Sequence, residues 1–233
     1  MLAPIVLFIY NRPEHTLQTL DALSKNTLAK ASDLIIFCDG SKENATQEQI
    51  EKINQAREIA KSKQWCKTVE IRESEKNKGL ATSIIEGVTE TVNKYGKIIV
   101  LEDDIVTGKY FLEYMNTALD KYKDDKKVFH IDAFRYPIKD ATSNSSFFYP
   151  IMACWGWGTW VDRWQYYKKD AAYYKSVFTK KMIYKFNMDG ADKDKWSQIE
   201  RNLSGKINTW AIFWGASIFI NNGLCLSPSI SLV

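Results

Sequence analysis

The sequence has 233 residues, of which 45% are hydrophobic, 13% aromatic and 26% charged, and its net charge is +4. This balance is typical of a globular protein with a large core, and it excludes a disordered chain, a collagen-like repeat and a disulfide-stapled miniprotein. Lys and Arg alternate with Asp and Glu along the chain instead of forming basic tracts, so nucleic acid is not the expected partner.

The cysteine and terminal patterns predict a cytoplasmic protein. Four cysteines are widely spaced and only two histidines accompany them, so no zinc-binding pattern is present and reduced thiols are expected. The apolar residues 2–10 lack a basic start and a small-residue cleavage site, which favours a strand over a signal peptide. No apolar run reaches about 18 residues, so no transmembrane segment is predicted.

The first half of the chain alternates short apolar runs with helical stretches. Runs rich in Ile, Val and Phe need no alternation of polar residues when both faces of a sheet are covered, and they predict strands at residues 4–10, 33–38, 68–72 and 97–101. Leu17, Leu20 and Leu23 recur at helical spacing. Helices are therefore predicted at residues 14–30, 47–63, 80–92 and 108–122.

This alternation predicts an α/β fold, with an open, mostly parallel twisted sheet and helices on both faces. After residue 126 the pattern changes, and seven of the eight tryptophans fall in this half. Strands are predicted there at residues 128–131 and 147–152, and helices at 155–167 and 192–203. No Pro, Gly and Ser-rich linker separates the halves, so a single domain over residues 1–233 is predicted.

Ligands of such sheets bind beyond the carboxyl ends of the strands, so the residues that follow each strand are candidates for a site. Glu102, Asp103 and Asp104 follow the fourth predicted strand. Three adjacent carboxylates repel one another unless a cation neutralises them, and Mg²⁺ or Mn²⁺ suits such ligands. The alternative is a solvated acidic turn that precedes the next helix.

Two further strand-end segments have two interpretations each. Asp39 and Gly40 either form an ordinary turn or contribute to a ligand site. Asn77, Lys78 and Gly79 either offer a cation and free N–H groups to an anion or simply start a helix. Neither segment decides the question alone, but all of them are expected at one edge of one sheet.

Four segments in this order resemble the nucleotide-sugar-binding half of a GT-A glycosyltransferase: PIVLFIYNRPE from Pro4, FCDGS from Phe37, NKGLA from Asn77 and VLEDD from Val100. They are similar to the family-2 type and to the N-acetylglucosaminyltransferase I branch, whose metal motif also reads Glu-Asp-Asp. The resemblance implies a nucleotide-sugar-binding half at residues 1–125 and an acceptor-side half at 126–233.

The resemblance also implies roles for individual residues. It implies that Asn11 and Arg12 line the nucleotide pocket, that Asp39 bonds the base and that Lys78 lies near the nucleotide. A nucleoside diphosphate leaves readily only when cations absorb its developing negative charge, which suits these residue types.

The remaining implied roles belong to the three carboxylates and to a cofactor, Mn²⁺ or Mg²⁺. Asp104 holds the metal, Asp103 lies near the ribose and the metal, and Glu102 lies close to the sugar.

An inverting transfer needs a base that takes the proton of the acceptor hydroxyl. In similar transferases this acid lies in the later half near a Trp-rich segment, but residues 208–214 contain no carboxylate. The candidates kept for this role are Asp192, Asp194 and Glu200. Trp155 and Trp157 either stack against sugar rings or belong to the core, because aromatic side chains are common in both settings.

The sequence thus predicts a metal-dependent, inverting glycosyltransferase that moves a sugar from a UDP-sugar to a saccharide or lipid-linked acceptor, in surface polysaccharide synthesis. Its expected location is the cytoplasm, with peripheral association at the inner face of the membrane. One alternative is a non-catalytic nucleotide- or sugar-binding module that keeps the fold. Another is a nucleotidyltransferase, which usually begins with a Gly-rich loop that is missing here.

The last residues of the chain, 229–233, are apolar and carry no helix stop. Similar transferases continue into a segment that often supplies a late His to the metal. We therefore expect a C-terminally truncated form of a longer protein.

Overall fold

The computed structural model describes residues 1–136 and 145–233. Eight strands form one sheet in the order β3-β2-β1-β4-β7-β5-β8-β6. In chain order the strands are β1 Ile5–Ile9, β2 Asp33–Cys38, β3 Thr68–Glu73, β4 Lys97–Glu102, β5 Val128–Asp132, β6 Phe147–Tyr149, β7 Trp157–Trp160 and β8 Leu224–Ser227.

The first four strands are parallel to their neighbours, as the continuous apolar runs predict. β7 lies between β4 and β5 and is antiparallel to both, so β5 runs in the same direction as β4. β8 is parallel to β5, and β6 is an antiparallel edge strand. The predicted α/β fold with an open, mostly parallel sheet is confirmed.

Nine helices and one short 3-10 turn, at Ala29–Ala31, are present in the described residues. In chain order the helices are α1 Pro13–Ser24, α2 Gln47–Lys61, α3 Leu80–Tyr95, α4 Phe111–Lys121, α5 Val161–Trp164, α6 Ala171–Val177, α7 Lys180–Phe186, α8 Asp194–Leu203 and α9 Ala211–Ile220.

The helices cover both faces of the sheet. α1, α2 and α4 pack on one face, where Leu20, Ala56 and Leu112 belong to a single core cluster with the strands. α3 and α9 pack on the other face, through side chains such as Ile84 and Trp214. A third, aromatic cluster joins α6, α7, α8 and the outer side of α9. Such burial of apolar surface is the main source of stability for the fold.

Two sequence predictions are wrong in their extent or type. The first helix ends at Ser24 instead of residue 30, because the buried Asn26 turns the chain: its Nδ2 donates to the carbonyl of Ala22 and its Oδ1 accepts from the N–H of Leu112. Residues 155–167 are not one helix, since Trp157–Trp160 is the central strand β7 and only Val161–Trp164 is helical.

The structure also has elements that the sequence analysis did not predict: α6, α7, α9 and β8. α9 is apolar on nearly every side, because it separates two core clusters, and it therefore shows no helical alternation. No helix of the described residues is both long and apolar enough to cross a membrane. The four cysteines are free thiols.

Candidate functional site

The carboxyl ends of β1, β2 and β4 and the start of α3 surround a cavity of about 250 Å³. This is the edge of the sheet at which a ligand is expected in an open α/β fold. Its lining combines an apolar floor with cations and carboxylates. The lining residues are Phe8, Ile9, Tyr10, Arg12, Phe37, Asp39, Lys42, Asn77, Gly79, Leu80, Ser83, Glu102 and Asp103.

Arg12 joins the two carboxylates that the sequence analysis assigned to a metal. Its guanidinium forms an ion pair with Asp103, and its Nη1 lies 3.0 Å from Oδ2 of Asp104. Asp103 is almost fully buried, whereas the side chains of Arg12 and Asp104 are each a little under half exposed. The hydroxyl of Thr19 donates to the backbone carbonyl of Asp103 at 2.9 Å and fixes the turn.

The acidic groups at this edge hold their protons more strongly than free carboxyl groups do. Burial, together with the nearby charges of Asp104 and Asp103, raises the pKa of Glu102 to about 7. Burial also raises the pKa of Asp103, although the guanidinium of Arg12 opposes this shift. The cluster therefore lacks positive charge, and Arg12 supplies only part of it.

The donor set suits a hard divalent cation. Asp103 and Asp104 converge on one guanidinium, so their oxygens point to a common position, and Mg²⁺ is commonly held by one or two carboxylates with water and phosphate. Within the described ranges, no group of three or more His, Cys, Asp or Glu side chains forms a metal site. A cation here would therefore need oxygens from a ligand as well.

Asp39 organises the loop that follows β3. Its carboxylate accepts hydrogen bonds from the backbone N–H groups of Lys78 and Gly79, at 2.8 and 2.9 Å, and from the side chain of Asn77 at 3.0 Å. The N–H of Gly40 supplies a fourth bond at 2.9 Å. Four bonds fill the acceptor positions of a carboxylate, so in this structure Asp39 is a support of the cavity wall.

Two of the predicted nucleotide residues do not line this cavity. The Nζ of Lys78 lies 2.8 Å from Oε2 of Glu86 and faces a smaller neighbouring cavity of about 70 Å³. Asn11 is partly buried beside Arg12 but is not part of the lining. Lys42 supplies the second cation of the main cavity instead.

The two tryptophans predicted to contact sugar have different environments. Trp155 is 42% exposed and makes edge contacts with Phe134 and Tyr136, whose ring centroids lie 4.7 and 6.2 Å away. Trp157 is fully buried between His130 and Trp210, with ring centroids 5.3 Å from each. Trp157 has no face open to a ligand, so the structure corrects its predicted role in favour of the core.

The aromatic cluster lies on the same edge of the sheet as the cavity. Phe134 and Tyr136 directly follow β5, whose carboxyl end points the same way as that of β4. Cys154, next to Trp155, has its thiol pKa raised to about 12, first by burial and then by the nearby charge of Glu102. The acidic turn and the aromatic cluster are therefore neighbours.

The three base candidates also differ. The carboxylate of Asp194 accepts hydrogen bonds from Ser197 and Gln198 of its own helix and pairs with Arg201. Glu200 is exposed on the same helix.

Asp192, in contrast, faces the aromatic cluster. Its charge contributes to the raised pKa of Tyr136, after burial and the charge of Asp132, and Nζ of Lys195 lies 3.9 Å from its Oδ2. Only 18% of the Lys195 side chain is exposed.

A buried polar network lies beneath this edge. Trp214 Nε1 donates to Nδ1 of His130 at 3.0 Å, so the proton of the neutral ring is on Nε2, 2.7 Å from Asp132. The other oxygen of Asp132 accepts from the hydroxyl of Ser227 at 3.0 Å. His130 is thus a structural histidine that ties β5, β8 and α9 together.

The sequence analysis missed several residues of this edge. Lys42 directly follows the segment at residues 39–41, and the rule that strand ends carry function could have included it. Phe134 and Tyr136 follow β5 in the same manner. Ser83 gave no signal, because a serine in the first turn of a helix has many uses.

The sheet order and the position of the cavity define an α/β domain of the GT-A type. Residues 5–190 match the model of glycosyl transferase family 2, and the chain belongs to this family. No curated protein sequence matches the chain significantly.

Solved structures show the same fold at low sequence identity. S. aureus TarS 1-349 has a TM-score of 0.55 and 9% identity, over 98% of this chain and 58% of its own. A second S. aureus TarS structure has a TM-score of 0.40 and 12% identity, over 62% and 25% of the two chains. A cytidylyltransferase from Leptospira borgpetersenii has a TM-score of 0.40 and 11% identity, over 77% and 66%.

Proposed function

We propose that this chain transfers a sugar from a nucleoside diphosphate donor, a UDP-sugar, to a saccharide or lipid-linked acceptor with inversion at the sugar. The observation that carries the proposal is the cavity at the carboxyl edge of the sheet, where Arg12 and Lys42 meet the carboxylates of Asp103 and Asp104. Membership of glycosyl transferase family 2 supports the same reaction class.

The donor would occupy the cavity with its diphosphate toward Arg12 and Lys42. α3 begins at this wall, and the positive end of its dipole adds to the attraction of an anion. Asp103 and Asp104 would hold Mn²⁺ or Mg²⁺, which would neutralise charge on the departing diphosphate. Asp39 would keep the loop at residues 77–79 in place as the wall of the nucleotide pocket.

The acceptor would lie across the aromatic cluster of Phe134, Tyr136 and Trp155. We assign the base that takes its hydroxyl proton to Asp192, because Asp194 is held by its own helix and Asp192 faces Tyr136. Surface polysaccharide synthesis at the inner face of the membrane is the setting that we propose for this reaction.

The metal assignment is tested by calorimetry with UDP and Mn²⁺. Replacing Asp104 with Ala is expected to weaken metal-dependent UDP binding at least tenfold, because a ligand of the cation is lost. Asp124→Ala is the matched control, since Asp124 is an exposed carboxylate outside the cavity, and its binding should equal that of the wild type. Equal binding by Asp104→Ala and the control would refute the assignment.

A non-catalytic sugar-binding module is the second candidate, and the lack of any carboxylate at residues 208–214 favours it. Incubation with a panel of UDP-sugars, with and without saccharide acceptors, separates the two. A transferase releases UDP, and its Asp192→Asn variant should release it at least a hundredfold more slowly while binding UDP normally. Binding without UDP release from any donor would favour the module.

A further inference from the structure

The hairpin of α6 and α7 concentrates unpaired positive charge. Residues 171–188 contain four lysines and no Asp or Glu, while the whole chain has a net charge of +4. Lys175, Lys180, Lys181 and Lys185 are all exposed, and none of them forms an ion pair within the described part of the chain. The remaining residues of the protein are therefore neutral in sum, and the charge excess lies on this hairpin.

α7 presents these lysines around one exposed aromatic ring. Successive residues of a helix are rotated by about 100°, so Lys180, Lys181, Tyr184 and Lys185 lie within an arc of roughly 140°. Tyr184 is 56% exposed, although a tyrosine of a globular protein is more often largely covered. The opposite face of the same helix, made of Met182, Ile183 and Phe186, packs on the third core cluster.

The lysines take no part in holding the hairpin together. Asp170 caps α6 by accepting from the N–H of Tyr173 at 2.8 Å, and Thr179 caps α7 through the N–H of Met182 at 3.3 Å. The N–H of Gly190 donates to the carbonyl of Tyr184 at 3.1 Å. The charged face is thus free to contact a partner without loss of the fold.

We propose that the α6–α7 face binds an anionic lipid surface. Lysines draw a protein to acidic headgroups, and an exposed tyrosine ring lies well at the boundary between headgroups and acyl chains. None of the four cavities found in the described residues is lined by a residue of the hairpin. A convex face without a groove fits an extended membrane surface better than a single polyanionic strand.

This inference rests on the proposed function only for its purpose, because an enzyme that uses a lipid-linked acceptor must work at a membrane. The contact itself requires neither donor nor acceptor. It is therefore measured without them.

The test is sedimentation of the full chain with vesicles of phosphatidylcholine, with and without phosphatidylglycerol. Binding is expected only to the anionic vesicles and should weaken as salt is added. Lys180→Glu, Lys181→Glu and Lys185→Glu together should lower the partition coefficient about a hundredfold, since each lysine near such a surface contributes roughly a factor of five. Tyr184→Ala should lower it several-fold with an unchanged circular dichroism spectrum.

The matched control reverses three exposed lysines elsewhere, Lys25, Lys30 and Lys67, and should reduce vesicle binding far less. Equal loss in both triple variants, or equal binding to neutral vesicles, would overturn the proposal. So would binding of soluble polyphosphate that depends on the hairpin lysines when vesicles are not bound. UDP and Mn²⁺ binding by the same variants separates a failure of this surface from a failure of the proposed transfer.

Discussion

Glu102 is the residue whose surroundings have the clearest consequence for stability. It is largely buried next to Asp103 and Asp104, and its pKa is about 7, whereas a Glu in the unfolded chain has a pKa near ~4.3. The folded protein therefore binds more protons than the unfolded chain between these two values. The contribution of Glu102 to stability is fully present at acid pH and is lost as the pH rises toward 7.

Replacing Glu102 with Gln should remove this dependence. In the presence of a chelator, we expect the variant to have a higher melting temperature than the wild type at pH 8, by roughly 2–5 °C for a domain of this size, and the same melting temperature near pH 4. Thermal unfolding across this pH range measures the difference. A constant difference at every pH would show that Glu102 acts through its shape and not through its charge.

Among the elements of the fold, the turn after β2 and the loop at residues 77–79 form one unit. A Cβ on Gly40 would stand 2.6 Å from the backbone carbon of Lys76, so a side chain there must displace the loop. Gly79 has a φ of +75°, which favours glycine, and its N–H is bonded to Asp39. The two glycines allow two backbone segments to meet around one carboxylate.

We expect Gly40→Ala to weaken UDP binding at least fivefold, because the displaced loop would no longer form the wall of the cavity. Gly215→Ala is the matched control in α9, where a Cβ would meet only Met152 at 3.7 Å. The control should bind UDP normally and gain up to about 1 kcal/mol of stability from its helix propensity. Calorimetry and urea unfolding measure the two effects, and normal UDP binding by Gly40→Ala would contradict this description of the loop.

At the scale of the whole molecule, β7 joins the parallel half of the sheet to the second half. It pairs with β4 on one side and β5 on the other, and its residue Trp157 is fully buried. The indole of Trp157 stacks between His130 and Trp210, although its Nε1 has no hydrogen-bond partner in the described residues. Its contribution to stability is therefore that of a large apolar side chain.

Urea unfolding should separate the two tryptophans that sequence reasoning treated alike. Trp157→Ala is expected to cost about 3–5 kcal/mol, because it opens a large cavity, and Trp157→Phe should recover much of this loss. Trp155→Ala should cost less than about 1 kcal/mol, since its ring is 42% exposed. Similar losses for both alanine variants would contradict the difference in burial.

The sequence by itself determined the parallel half of the sheet and the content of its edge. Runs buried on both faces are continuously apolar, and the residues that follow them, such as Arg12, Asp39 and Asp103, line one cavity. These features are local in the chain, so composition and spacing reveal them. The acidic turn at residues 102–104 is local in the same sense.

Only the tertiary structure decided which side chains face the cavity and how the second half is built. Local spacing records that a residue is apolar or charged, but not which partner it meets. Lys78 pairs with Glu86 instead of lining the main cavity, and Trp157 is buried because β7 is inserted between two strands. The aromatic cluster of Phe134, Tyr136 and Trp155 likewise exists only because β7 and β5 bring distant residues to one edge, a contact that no pattern within either segment encodes.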